Sequence, residues 1–220
     1  MDGQALVVCA NDADDRLSRL GLESEPLREV VRRSFHAFIS CSPNHPPLVR
    51  GIWAWGEAIR ALREYALPLG YRRSDERNYS LVVDEGRRIA LAVATGDEAT
   101  GIRQLTPSTR SVKGSSTLLR VVANQAQLSL FGELDSAEVA EIDAPDGDIG
   151  DDVVTWILLI HRGSSEVRCE LSLPSSMGPD GRINAWHERI ILEPVPVDGE
   201  PMEIVIPDAP DIDVDVQRRA

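Results

Sequence analysis

Acidic side chains are the residues of this chain whose chemistry could be catalytic. Clustered carboxylates can hold Mg²⁺ for phosphoryl transfer. The candidate groups at the ends of one predicted hairpin are Asp84, Glu85, Asp97 and Glu98, and those on later predicted strands are Glu170, His187 and Glu188. A nuclease site normally adds a lysine or histidine beside its acids, but the only lysine, Lys113, lies in a Ser/Gly-rich stretch. Carboxylates are mostly exposed in proteins, so the sequence favours carboxylates that face the solvent. A metal-dependent nuclease therefore ranks third among the three functional hypotheses that the sequence supports.

The chain contains none of the common catalytic or metal-binding sequence motifs. It has no Gly-x-Ser-x-Gly, no His-Glu-x-x-His and no dinucleotide fingerprint. Cys9, Cys41 and Cys169 are widely spaced and form no Cys-x-x-Cys pair, which excludes a disulfide framework and a standard zinc site. We therefore expect no catalytic residue, no metal and no cofactor, as in a protein that binds a partner.

A five-residue stretch in the middle of the chain has the composition of a docking peptide. Its residues are Gln127, Leu128, Ser129, Leu130 and Phe131. A few apolar side chains in a short peptide can fill the pockets of a groove while backbone hydrogen bonds hold the peptide in place. The alternation of Leu128 and Leu130 with polar residues is also typical of a half-buried strand. An ordinary strand is therefore the alternative interpretation.

The stretch resembles the peptide by which bacterial proteins dock on the replication sliding clamp. In that family a glutamine leads, a leucine follows, a small polar or acidic residue is third, and Leu-Phe closes; all five positions match. The resemblance implies that Leu130 and Phe131 fill one apolar pocket and Leu128 a neighbouring shallow one. It also implies that the Gln127 amide hydrogen-bonds at the rim, while Ser129 faces water. The match covers five of 220 residues.

The docking peptide lies between two segments of unusual composition. Residues 101–131 contain no acidic side chain, and residues 106–117 are rich in Ser, Gly and Thr, which is typical of a loop. Residues 132–152 carry nine carboxylates and no basic side chain. Such a segment cannot bury enough apolar surface to fold alone. We therefore predict a flexible linker over residues 105–152 that carries the docking peptide.

Apolar periodicity predicts helices first and strands later. Ser24 caps a helix whose apolar positions continue to Ile39, and a second helix is predicted over residues 53–66. Residues 6–10 could form a strand, and residues 11–23 a loop or short helix. A hairpin over residues 79–94 turns at Glu85-Gly86. Further strands are predicted over residues 153–162, 166–173, 182–193, 203–206 and 211–216.

These elements predict an α+β fold with an N-terminal helical pair packed on a mainly antiparallel sheet. A long mobile acidic excursion would leave the sheet. Residues 1–104 would hold the helices and the hairpin, residues 105–152 the linker, and residues 153–220 the strands that complete the same sheet. No apolar run approaches 18 residues and no leader opens the chain, so we expect a cytoplasmic protein without a membrane partner.

The net charge of −13 argues against direct binding to nucleic acid. The leading hypothesis is a non-enzymatic binding protein of bacterial or mobile-element DNA replication or repair, docked on the sliding clamp through residues 127–131. The alternative is an acidic DNA mimic or inhibitor acting on a basic partner. Its interaction face would be Asp211, Asp213 and Asp215, which alternate with apolar residues. Such a row can also simply keep an edge strand soluble.

Overall fold

The computed structural model describes residues 5–131 and 153–197. Its helices are α1 (Ala10–Arg19), α2 (Ser24–Ile39), α3 (Pro47–Ala66) and α4 (Ser115–Phe131), with 3₁₀ turns at Leu67–Leu69 and Glu76–Asn78. Its strands are β1 (Leu6–Val8), β2 (Arg72–Ser74), β3 (Leu81–Asp84), β4 (Ile89–Thr95), β5 (Val154–Arg162), β6 (Glu166–Met177), β7 (Ile183–Ile191) and β8 (Val195–Pro196). Among these residues, no helix is both long and apolar enough to cross a membrane.

All the described strands belong to one mixed sheet. Seven of them lie in the order β1-β7-β6-β5-β4-β3-β2, and β8 pairs with the start of β6. The β1–β7 and β4–β5 pairs are parallel, and the other pairs are antiparallel. The predicted α+β class, with a helical pair on a mainly antiparallel sheet, is confirmed.

One face of the sheet packs against α1, α2 and α3. Each helix contributes an apolar stripe at helical spacing, such as Leu27, Val31 and Phe38 in α2. The strands contribute alternate side chains such as Leu158 and Cys169. Cys169 is 0% exposed within this core, so it is a packed core residue, as predicted, and burial raises the pKa of its thiol to about 12.

The opposite face packs against α4 and the loop of residues 96–114. The strands present small residues there, including Ala90, Ala92 and Ala94 of β4, and α4 contributes Val121. Small side chains allow the covering chain to approach the sheet closely. The Trp186 indole nitrogen donates a 2.8 Å hydrogen bond to the Pro107 carbonyl. Both faces of the sheet are therefore covered.

The structure differs from the sequence prediction in the segment that covers this second face. Residues 105–131 form a hydrogen-bonded loop and helix α4, whereas a flexible linker is predicted there. Contacts with distant strands hold the segment, and local composition does not show such contacts. A smaller difference is the start of α3 at Pro47, whereas α1 is the short helix that was one of the two options for residues 11–23. The acidic stretch 132–152 and the predicted strands 203–206 and 211–216 lie outside the described residues.

Candidate partner-docking site

Helix α4 is fixed to the sheet by a buried amide side chain. Its buried positions Thr117, Val121 and Asn124 recur every three or four residues, as on one face of a helix. The Asn124 amide nitrogen donates to the Thr155 carbonyl at 2.9 Å, and the Thr155 amide donates to the Asn124 side-chain oxygen at 2.8 Å. Asn124 thus satisfies both the backbone donor and the backbone acceptor of Thr155 at a buried position.

The next residue of α4 makes a second contact of the same kind. The Gln125 side-chain nitrogen donates to the carbonyl of Ser175 in β6. Asn124 and Gln125 therefore attach one turn of α4 to two neighbouring strands. The candidate docking peptide begins two residues later, at Gln127.

The candidate docking peptide, residues 127–131, forms the C-terminal end of α4. The strand alternative is therefore wrong for these residues, because the backbone is helical up to Phe131. Gln127 is half-buried. The side chains of Leu128, Ser129, Leu130 and Phe131 lie outside what the structure describes. The structure thus places the backbone of the peptide directly after the fixed turn and directly before residues 132–152.

The helical backbone sets where the apolar positions of residues 127–131 lie around the helix axis. A repeat of 3.6 residues per turn separates positions 128 and 130 by about 200° around the helix axis. In an extended backbone, residues two apart point to the same side. Positions 128 and 130 therefore lie on opposite sides of α4, and one flat partner surface could take both only if the end of α4 unwinds.

Several of the carboxylates considered for metal binding have partners of their own. Burial raises the pKa of Asp84, but hydrogen bonds from Arg87 outweigh this and leave the pKa below its usual value. Asp97 accepts the amides of Ala99 at 3.1 Å and Ser108 at 3.0 Å, which shapes the loop after β4. Within residues 5–131 and 153–197, no three His, Cys, Asp or Glu side chains are grouped as a metal site requires. Asp84, Asp97 and Glu170 therefore do not converge.

The last two candidate groups, His187 and Glu188, are neighbours in β7. The Arg16 guanidinium donates to the two Glu188 carboxylate oxygens at 2.5 and 2.9 Å, which ties α1 to β7. Burial lowers the pKa of the His187 imidazole.

The most deeply buried charges form an ion pair between β6 and β7. Glu170 and Arg189 are 0% and 2% exposed, and Arg189 Nη2 lies 2.7 Å from Glu170 Oε2. Glu170 also accepts hydrogen bonds from the Ser172 hydroxyl at 2.7 Å and from the Gly101 amide at 2.9 Å. Each carboxylate oxygen therefore has two donors, since Arg189 Nε also binds Oε1 at 2.9 Å.

Arg189 extends this cluster to the loop that covers the second face. Its Nη1 donates to the Leu105 carbonyl at 2.6 Å and its Nη2 to the Ile102 carbonyl at 3.2 Å. The cluster thus holds residues 101–105 on the sheet, and its role is structural. The sequence analysis did not identify Arg189. The signal that could have found it is a charged residue directly before the apolar end of a strand, because a charged residue that is buried there needs a partner.

The remaining candidate residues are those of the predicted acidic interaction face. Asp211, Asp213 and Asp215 lie outside the described residues. No family model, curated protein or solved structure matches the chain.

Proposed function

We propose that this chain is a non-enzymatic binding protein of bacterial DNA replication or repair, or of a mobile genetic element. It docks on the replication sliding clamp through residues 127–131. The observation that carries the proposal is the complete five-position match to the clamp-docking motif. The rest of the chain, which we call the body, would then be either a cargo or a regulator that one short peptide attaches to the clamp.

The position of the peptide supports this function. A docking peptide must leave its own domain far enough to enter a groove on another protein. Residues 127–131 come directly after the turn that Asn124 and Gln125 attach to β5 and β6. The last turn of α4 can therefore unwind while the Asn124 contact keeps the rest of the helix on the sheet.

We expect modest affinity for a purified bacterial sliding clamp. Two or three buried apolar anchors, less the free energy of unwinding and ordering the peptide, correspond to a Kd of roughly 1 μM, or about −8 kcal/mol. Fluorescence polarisation with the labelled full chain measures this directly. Absence of binding at concentrations a hundred times higher would rule out the proposal.

Weakening the helix at the start of the peptide should increase the affinity. Ala126 is exposed on α4 and precedes the motif. Ala126→Gly lowers helix propensity by about 1 kcal/mol and favours helix termination, so the Kd should fall up to about fivefold. Fluorescence polarisation compares the variant with the wild type.

The matched control for this variant is Ala123→Gly. It makes the same change on the other side of Asn124, in the part of α4 that stays on the sheet. Its affinity should equal that of the wild type. If Ala126→Gly binds no more tightly than Ala123→Gly, unwinding of the helix end does not limit docking.

The body should neither bind DNA tightly nor cut it. The net charge of −13 repels phosphates, and the described carboxylates form no metal site. A gel shift at low salt is the most sensitive test, because phosphate contacts are strongest there. We expect no shift at micromolar protein and no cleavage with Mg²⁺ present. Salt-sensitive binding below micromolar would contradict the expectation.

A further inference from the structure

Residues 96–127 follow β4 and cross the second face of the sheet, and we call them the cover. The strands β4 and β5 pair directly with each other, from Ile89 opposite Val154 to Thr95 opposite Ile160. None of the strand pairs in the described sheet includes a residue of the cover. The sheet can therefore keep all of these strand pairs when the cover moves away from it.

The side chains that the cover buries are mainly polar. Thr100, Thr109 and Asn124 are fully buried, and Val121 is the only buried aliphatic side chain among residues 96–127. Several larger aliphatic side chains of the cover face the solvent instead, namely Leu105, Val112 and Leu118. The helices on the other face differ, because α1, α2 and α3 bury apolar stripes in a large common core.

Hydrogen bonds hold the loop part of the cover along β7. In chain order, they join Leu105 to Arg189, Pro107 to Trp186, Thr109 to Ile183 and Lys113 to Gly181. Thr109 makes two of them, since its amide donates to the Ile183 carbonyl at 2.9 Å and its hydroxyl accepts from the Ile183 amide at 3.1 Å. The loop thus runs antiparallel to β7, and each contact keeps the next one in register.

The helical part of the cover is held in the same way. Asn124 and Gln125 bind backbone groups of Thr155 in β5 and Ser175 in β6. The cover is therefore fastened to three neighbouring strands by polar contacts that extend over its whole length.

This kind of attachment resists opening less than an apolar core does. A hydrogen bond that opens is replaced by one to water, so its net contribution to stability is small, whereas apolar burial is lost outright. Below α4, β4 presents only the small side chains of Ala90, Ala92 and Ala94. Ile157 and Leu159 of β5 are buried on the same face and favour the closed form.

We propose that the cover opens from the sheet as one cooperative unit, while α1, α2, α3 and the sheet stay folded. The ordered contacts along β7 make the opening cooperative, because a contact that breaks releases its neighbours. The intact strand pairs make the opening possible without global unfolding. This motion goes beyond the proposed function and differs from unwinding of the last turn of α4, in which the Asn124 contact stays formed.

Hydrogen exchange of the full wild-type chain at several low urea concentrations tests the proposal. The amides of Thr109, Arg110 and Lys113 and the hydrogen-bonded amides of α4 should share one opening free energy and one urea dependence. They should exchange at least about tenfold faster than amides at the centre of β5. Their urea dependence should be smaller than that of β5, because opening exposes less surface than global unfolding does.

Two variants separate opening of the cover from global unfolding. Asn124→Ala removes a contact that exists only in the closed form, so it should accelerate the Thr109 amide and the α4 amides by a common factor of at least about five. Val31→Ala weakens α2 in the core of the opposite face. It should accelerate exchange in β5 and leave the cover unchanged, because α2 stays packed in the open form. Circular dichroism verifies that both variants fold.

Either of two results would overturn the proposal. If Val31→Ala accelerates the cover by the same factor as β5, the cover opens only when the whole chain unfolds. If Asn124→Ala accelerates α4 but leaves Thr109 and Lys113 unchanged, the helix and the loop open separately. The urea series on the wild type gives the same decision without a variant, since amides of the cover with the urea dependence of β5 would exclude a separate opening.

Discussion

Changing Leu130 and Phe131 together to alanine should lower the affinity for the sliding clamp at least about a hundredfold. Each side chain contributes about 1.5–3 kcal/mol when fully buried in a partner, so the pair contributes about 3–6 kcal/mol. Since each 1.4 kcal/mol is about tenfold in Kd, even the lower bound exceeds a hundredfold. Isothermal calorimetry against purified clamp measures the loss.

The controls separate docking from folding. Ser129→Ala alters the position that the motif assigns to water and should change the Kd little. Leu118→Ala shortens an exposed leucine on the same helix, before the fixed turn, and should bind like the wild type. Circular dichroism should show that the double variant remains folded. A folded double variant with wild-type affinity would mean that the match to the clamp motif is a coincidence.

Replacing Arg189 by leucine should lower the free energy of unfolding by about 3–5 kcal/mol, the usual cost of removing one partner from a buried ion pair. Glu170 would remain fully buried with its charge uncompensated. The backbone carbonyls of Leu105 and Ile102 would also lose the hydrogen bonds that the Arg189 guanidinium donates to them. Urea unfolding followed by circular dichroism gives the difference.

A partly exposed ion pair of similar geometry provides the matched control. Arg16→Leu removes the partner of Glu188, whose pair lies nearer the solvent at 24% and 11% side-chain exposure. We expect a cost of about 1 kcal/mol or less there. Glu170→Leu combined with Arg189→Leu should recover part of the stability, because neither charge is left alone. Equal losses in Arg189→Leu and Arg16→Leu would show that the buried cluster has no special role.

The sequence predicted those elements whose own pattern repeats clearly. The stripe in α2 and the alternation around Cys169 in β6 each bury one side against a single core, so residue type reports burial directly. The hairpin of β3 and β4 was also predicted, with its turn after Asp84. These elements account for the confirmed α+β class.

Helix α4 was missed because its stability comes from tertiary contacts. A buried asparagine occupies the position where an apolar residue would have revealed the helical stripe, and its partner Thr155 lies 31 residues away. Gln125 likewise binds a distant strand. Polar side chains that satisfy distant backbone groups give no periodic signal, and a Ser/Gly-rich entry made a linker the natural expectation.

The candidate site was only partly accessible to sequence reasoning. The motif itself is a pattern of residue types and could be recognised without any structure. Its helical backbone could not, because the same five residues alternate like a strand. The scattered carboxylates looked like a possible cluster, and only the strand order shows Asp84 on β3 separated from Glu170 on β6 by two strands.

The pairing of β1 with β7 has a consequence for synthesis of the chain on the ribosome. Val7 lies opposite Arg189, so the first strand has no partner until nearly the whole described chain has been translated. Bringing such distant segments together is slow, since the ordering entropy of the intervening chain must be lost first. Arg189 also belongs to β7, so the nascent sheet carries Glu170 without its counter-ion during that interval. The fold can therefore be completed only late in translation, when β7 emerges.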